Sequence, residues 1–164
     1  MRLFVLASLV LFGSWTGLAH AGIAGQTHEH ETLINSSFGS TAQLTVNGGQ
    51  RVEINVGHLY AFHDVVQIGG IVGAGYRGTE YVNLMALVNL NFALGTDGAR
   101  SLFVGGGAGW DDVTKGTRQF AWRADVGMRC KVFEHVHWRP TVGIQDRGAG
   151  VAFNAEFLAL SMTY

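Results

Sequence analysis

Charged side chains recur at every second position in several segments of this sequence, and apolar side chains take the positions between them. Charges that are brought together away from bulk water need partners or trapped water. The pattern therefore predicts either an ion-paired network that fills an interior or a narrow charge-selective path for water and ions. We favour the ion-paired network. Its predicted members are Glu53, Arg123, Asp125, Arg129, Lys131, Arg139 and Glu156.

Two histidine pairs could bind a metal. His28 and His30 alternate with two glutamates, and His135 and His137 form a second His-x-His pair. Imidazole with carboxylate is a ligand set for zinc or copper. We interpret both pairs as solvated polar residues, the first in a tail and the second at a turn, and we predict no metal and no cofactor.

Nucleophilic catalysis needs a hydroxyl group beside a base that a third group holds in place. The turns with threonine hydroxyls, at Thr79, Thr114 and Thr117, contain no histidine, and the segment around His135 and His137 contains no hydroxyl. We therefore predict no catalytic residues and no enzyme. An outer-membrane enzyme that modifies lipid A stays open as an alternative.

The composition excludes several classes of protein. The single cysteine, Cys130, rules out an intrachain disulfide, and its place in an apolar set predicts an inert thiol. A net charge of −1 provides no basic face, so we expect no nucleic-acid partner. The 24 glycines, the single proline and the positive mean hydropathy are typical of a transmembrane β-barrel.

The first residues predict a secretory signal peptide. Arg2 precedes an apolar run, and Ala19 and Ala21 are the small residues that a signal peptidase reads. The apolar run is about 13 residues, shorter than the ~20 that a membrane-spanning helix needs. We expect cleavage after Ala21, a periplasmic tail over residues 22–34 and a barrel over residues 35–164.

Period-two alternation of apolar and polar residues predicts eight strands separated by turn residues. Strands of about 10 to 13 residues match a tilted crossing of the bilayer. The predicted fold is all-β, an eight-stranded antiparallel up-and-down transmembrane β-barrel with short hairpin turns. Its predicted strands cover residues 36–46, 50–62, 65–76, 81–92, 101–110, 120–133, 137–145 and 151–164.

Solvation decides which face of each strand points inward. A guanidinium at the middle of the bilayer costs about 2 to 4 kcal/mol on the lipid face of a barrel, so the charged set must point into the barrel. Eight strands enclose an interior that side chains can fill, and inward glycines on the third and fifth strands would give long side chains room. A soluble lipocalin-like barrel, the alternative, would place the apolar set inside.

The chain ends on alternating apolar residues and a terminal aromatic one: Leu158, Leu160, Met162 and Tyr164. Together with the glycine-rich segment from Ser101 to Trp110, this end resembles the OmpA/OmpX/opacity-type family of eight-stranded outer-membrane barrels. The resemblance implies a place in the bacterial outer membrane, recognition of the terminal residues by the barrel-assembly machinery, and contact with membrane lipid and lipopolysaccharide. The alternation shifts upstream of Phe157, which predicts a β-bulge near residues 155–157.

The resemblance identifies fold and location but little about activity. We expect a monomer with a structural role in the envelope or a role in surface interaction, and a narrow pore for small solutes or ions is the main alternative. Residues 111–119 form the one outward turn with room and mixed charge. If a partner binds, the residues to test first are Asp111, Asp112, Lys115 and Arg118.

Overall fold

The computed structural model describes residues 28–40, 50–76, 80–94, 99–113, 118–148 and 150–164. Ten β-segments lie within these ranges. They are β1 (His30–Ser40), β2 (Gln50–His63), β3 (Val66–Tyr76), β4 (Glu80–Ala93), β5 (Arg100–Asp111), β6 (Gln119–Lys131), β7 (Val136–Trp138), β8 (Thr141–Asp146), β9 (Val151–Glu156) and β10 (Leu158–Thr163). No helix in these ranges is long and apolar enough to cross a membrane.

The segments form one closed antiparallel barrel. The sheet runs in the order β5-β4-β3-β2-β1-β10-β7-β6, and β6 pairs again with β5. β8 pairs with β6 and β9, so β7 and β8 are two parts of one strand, as are β9 and β10. The ten segments thus make eight strands, and the predicted fold class is confirmed.

The two broken strands are interrupted side by side. Pro140, which has no N–H to donate, lies between β7 and β8. Phe157 lies between β9 and β10, where Phe157 and Leu158 are both exposed while Glu156 is buried. The predicted β-bulge is confirmed. The indole Nε1 of Trp138 donates to the Phe157 carbonyl oxygen at 2.7 Å, which satisfies a backbone group near the break.

Side chains alternate between an exposed apolar set and a buried polar set. On β4, Val88 and Leu90 are 51% and 44% exposed, whereas their neighbours Asn89 and Asn91 are 5% and 3% exposed. The same alternation holds along β5 and β6, where Val104 and Val126 are about half exposed and Arg129 is buried. The apolar side therefore faces outward, and the interior is enclosed by the polar side.

The first strand differs from the prediction. β1 begins at His30, so residues 30–34, which were assigned to a tail, belong to the barrel. The reason is closure, because β1 must pair with β2 on one side and with β10 on the other. Residues 41–46 of the predicted first strand lie outside the described residues, as does the predicted signal peptide. So do residues 47–49, 77–79 and 96–98, which lie between predicted strands.

The barrel has two distinct ends. The terminal end, as we call it, contains the start of β1 and Tyr164. The turns at residues 63–65 and 132–135 lie at the same end. We call the other end the opposite end, where β5 finishes at Asp111 and β8 finishes at Asp146. These two names locate the buried charges below.

Candidate functional site: a buried charge network

Glu31 is the centre of the buried group nearest the terminal end. Its Oε1 accepts a hydrogen bond from Arg129 Nε at 2.8 Å and lies 3.5 Å from Arg139 Nε. Gln67 completes a ring of contacts, because its Nε2 donates to Glu31 Oε2 at 3.1 Å and its Oε1 accepts from Arg129 Nη2 at 2.5 Å. Asn91 Oδ1 accepts from Arg129 Nη1 at 2.7 Å. We call Glu31, Gln67, Arg129 and Arg139 the terminal tier.

An aromatic ring packs against both arginines of the terminal tier. The guanidinium carbons of Arg129 and Arg139 lie 5.0 Å and 3.9 Å from the centroid of the Phe103 ring. Such cation–π contacts stabilise a guanidinium that has lost its water. Phe103 has this room because Gly127 faces it: a Cβ at Gly127 would lie 2.4 Å from Phe103 Cζ.

Arg139 has a further partner on β4. In the amide orientation that satisfies both of its polar atoms, Asn89 accepts a hydrogen bond from Arg139 Nη2 at 2.9 Å. The terminal tier therefore joins β1, β3, β6 and the break between β7 and β8, and its partners Asn89 and Asn91 lie on β4. It crosses the interior rather than following one wall.

Arg123 and Glu156 form the middle tier together with Asp125. Arg123 Nη2 lies 3.1 Å from Glu156 Oε1, and Arg123 Nε lies 2.5 Å from Asp125 Oδ2. Asn154 Nδ2 donates to Glu156 Oε1 at 3.0 Å, and Asn35 also donates to Glu156. The bulge at Phe157 makes this tier possible, since it keeps Glu156 inside while β10 resumes the outward apolar register.

Arg147 is the centre of the opposite tier. It binds Glu53 in a bidentate manner, with Nη1···Oε2 and Nη2···Oε1 distances of 3.0 Å and 3.2 Å. Its Nη1 also lies 3.2 Å from Asp111 Oδ1, and its Nε donates to Gln145 at 3.0 Å. Tyr81 donates its hydroxyl proton to Glu53 Oε2 at 2.6 Å. Bidentate pairing of this kind is the strongest form of arginine–carboxylate contact.

Apolar side chains fill another part of the interior. A buried cluster on the β1–β4 wall and on β6 packs beside the tiers. Its members are Leu33, Leu59, Ile71, Met85, Leu87 and Ala121. The ion pairs and this cluster therefore both lie among the buried side chains of the barrel.

The structure brings together most of the residues that the sequence placed in the network. Glu53 lies in the opposite tier, Arg129 and Arg139 lie in the terminal tier, and the middle tier contains Arg123, Asp125 and Glu156. Lys131 does not belong to them. It is exposed at the terminal end, where it is the last residue of β6 and pairs with His137 on β7.

Three members of the tiers were assigned to other places by the sequence. Glu31 was placed in a tail, Asp111 in an outward loop, and Arg147 between the predicted strands 137–145 and 151–164, yet each is buried. Only the inward position of Glu31 could have been inferred from the sequence, because Glu31 belongs to the same set of alternate positions as Leu33 and Asn35, which also face inward. Arg147 and Asp111 lie where strands end, and the alternation gives no information about such positions.

The remaining predicted residues lie on the surface or outside the described residues. Leu158, Leu160 and Met162 are exposed on the outer face of β10, and Tyr164 follows that strand. In the predicted partner loop, Asp112 has a positive φ of 52° and Arg118 is exposed, whereas Lys115 lies outside the described residues. Asp111 is corrected to the opposite tier because Arg147 draws it inward.

Two solved structures share the fold. A de novo designed transmembrane β-barrel matches with a TM-score of 0.58 at 13% identity, over 85% of this chain and 98% of that chain. The N-terminal β-barrel domain of Pseudomonas aeruginosa OprF matches with a TM-score of 0.58 at 13% identity, over 84% and 98%. No family model matches the sequence, and no curated protein matches it. The predicted resemblance to small eight-stranded barrels of the OmpA type is confirmed for the fold.

Proposed function

We propose that this chain is an exported, integral β-barrel of the bacterial outer membrane, with a structural role in the envelope or a role in surface interaction and without enzymatic activity. The observation that carries the proposal is the inverted polarity of the barrel. Apolar residues face outward, and polar and charged residues are buried.

The outer surface favours a lipid environment. Ile54, Val88 and Phe153 are each exposed by half or more, and similar residues surround the barrel on every strand. Soluble monomers rarely expose continuous apolar surfaces larger than a few hundred Å². A soluble lipocalin-like barrel requires the apolar set inside, and the exposure of Val88 with burial of Asn89 contradicts that alternative.

The interior favours a filled barrel over a pore. Each arginine of the three tiers contacts at least one carboxylate on another strand of the barrel. Phe103 and the apolar cluster occupy space that a water path would need. These contacts support a structural role of the barrel rather than transport through it.

Membrane fractionation tests the proposed location. The full chain, expressed in a Gram-negative host, should sediment with the outer membrane and migrate faster on a gel before heating than after it. Recovery in the soluble periplasmic fraction, with no heat-dependent change in mobility, would overturn the proposal.

Two further measurements test the proposed role. Purified barrel in a planar bilayer should show no steady conductance, and a stable conductance of the wild-type chain would support the narrow pore instead. Mass spectrometry of lipid A should give the same species with and without expression of the chain. A new lipid A species that depends on expression would establish an enzyme.

A further inference from the structure

Two histidines meet on the outside of the barrel at the terminal end. His30 on β1 and His58 on β2 face outward, with 3.0 Å between His30 Nδ1 and His58 Nε2. Their ring centroids are 5.2 Å apart. The neighbouring inward residues Glu31 and Leu59 are fully buried, so the pair lies on the opposite face from the charge network.

Aromatic rings hold this pair in place. Tyr164 stacks on His30 with a centroid distance of 5.7 Å and an interplanar angle of 13°, and Tyr60 lies 5.1 Å from His30. Thr32 is 8% exposed, and its hydroxyl lies 3.3 Å from the Tyr164 hydroxyl. The imidazole of His30 is thus positioned by its neighbours before any ligand arrives.

The pair is also accessible. It lies at the edge of the outward apolar surface, which begins with Ile34 and Met162, and His58 is exposed. The residue opposite His58 on β3 is Gly70, which has no side chain to cover that flank. A Cβ at Gly70 would meet only the Met85 carbonyl oxygen, at 3.3 Å.

We propose that His30 and His58 form a two-imidazole clamp for a divalent late transition-metal ion, with Cu²⁺ as the tightest binder. Metal–imidazole bonds are about 2.0–2.1 Å long, so two nitrogens about 3 Å apart are adjacent ligands at roughly a right angle. On binding, the imidazole that donates the shared hydrogen bond moves its proton to its other ring nitrogen, and both facing nitrogens become ligands.

The clamp differs from the His-x-His motif seen in the sequence. Glu29 and Glu31 are buried, and the imidazole of His28 is hydrogen-bonded to Tyr60, with a Nδ1···OH distance of 2.6 Å. Among the described residues, no group of three or more His, Cys, Asp or Glu side chains is arranged around a metal position. Water or an external ligand therefore completes the coordination.

Copper titration of the full chain, purified in detergent without a histidine tag, tests the clamp. Calorimetry should show one Cu²⁺ per chain, and electron paramagnetic resonance should show hyperfine coupling to two nitrogens. His30→Gln and His58→Gln should each weaken binding by at least about 10-fold, since even outer-shell changes cost that much. Heat-dependent gel mobility confirms that each variant is folded.

Matched controls separate the clamp from other histidines. His63→Gln alters an exposed histidine at the same end and should leave the affinity unchanged. His28→Gln alters the other member of the sequence motif and removes its bond to Tyr60, so it should weaken binding less than either clamp variant. Binding that falls with His28→Gln but not with His58→Gln would overturn the clamp. A wild-type spectrum without two coordinated nitrogens would overturn it even if a variant failed to fold. None of these outcomes depends on where in the cell the barrel resides.

Discussion

Glu31→Gln is the most informative test of the terminal tier. Glu31 is fully buried between two arginines, 2.8 Å from Arg129 Nε and 3.5 Å from Arg139 Nε. Glutamine keeps the shape and one hydrogen-bond acceptor but removes the negative charge. Two guanidinium groups would then share the Phe103 ring with no carboxylate between them.

The expected loss of stability follows from burial. Removal of one partner from a buried ion pair costs about 3–5 kcal/mol, mostly because the remaining charge is left without compensation. The amide oxygen of glutamine still accepts a hydrogen bond, so the lower end, about 3 kcal/mol, is expected. That corresponds to an increase of roughly 100-fold in the unfolding equilibrium constant.

Urea unfolding in lipid vesicles measures this loss, with tryptophan fluorescence and heat-dependent gel mobility as two independent readouts. Glu134→Gln is the matched control, because Glu134 is exposed in the turn before β7 and should change stability by no more than about 0.5 kcal/mol. Arg129→Met added to Glu31→Gln should cost less than the sum of the two single changes.

Equal stability of Glu31→Gln and Glu134→Gln would refute this reasoning. So would strict additivity in the double variant, because it would mean that Glu31 and Arg129 do not interact. The first result would mean that the charge of Glu31 contributes little to stability, and the second would mean that its contribution does not come from Arg129.

Three further changes test other parts of the barrel. Val88→Arg, on the outward face midway along β4, should destabilise the barrel in vesicles by about 2 to 4 kcal/mol. Glu80→Arg, at the start of the same strand, should cost less than about 1 kcal/mol. Equal losses of stability for the two variants in urea unfolding would argue against a lipid-facing surface. Gly127→Ala should lower the unfolding temperature in detergent, because its Cβ would lie 2.4 Å from the Phe103 ring and 2.6 Å from the Pro140 carbonyl oxygen; an unchanged temperature would mean that the ring moves freely. Arg147→Met should speed proteolysis at the opposite end, since it leaves Glu53 without its bidentate partner; an unchanged digestion pattern would show that this pair does not hold the end closed.

Apart from the start of the first strand, the sequence by itself determined the strands, their faces and the bulge. Period-two alternation is local, so residues 81–92 alone show that Asn89 faces one side and Val88 the other. The parity shift before Phe157 likewise predicted that Glu156 stays inside, which the structure confirms. Charge then decided which side faces the interior, because a buried arginine needs partners that lipid cannot supply.

Only the tertiary structure decided which charges pair and where the barrel closes. Glu31 meets Arg129 across 98 residues of sequence, and Arg147 meets Glu53 across 94. Such contacts depend on the register between strands and on the pairing of β1 with β10. Neither can be inferred from the period-two alternation within a single strand. Closure also brings Tyr164, at the end of β10, onto His30, whereas His30 and His58 meet through the pairing of the neighbouring strands β1 and β2.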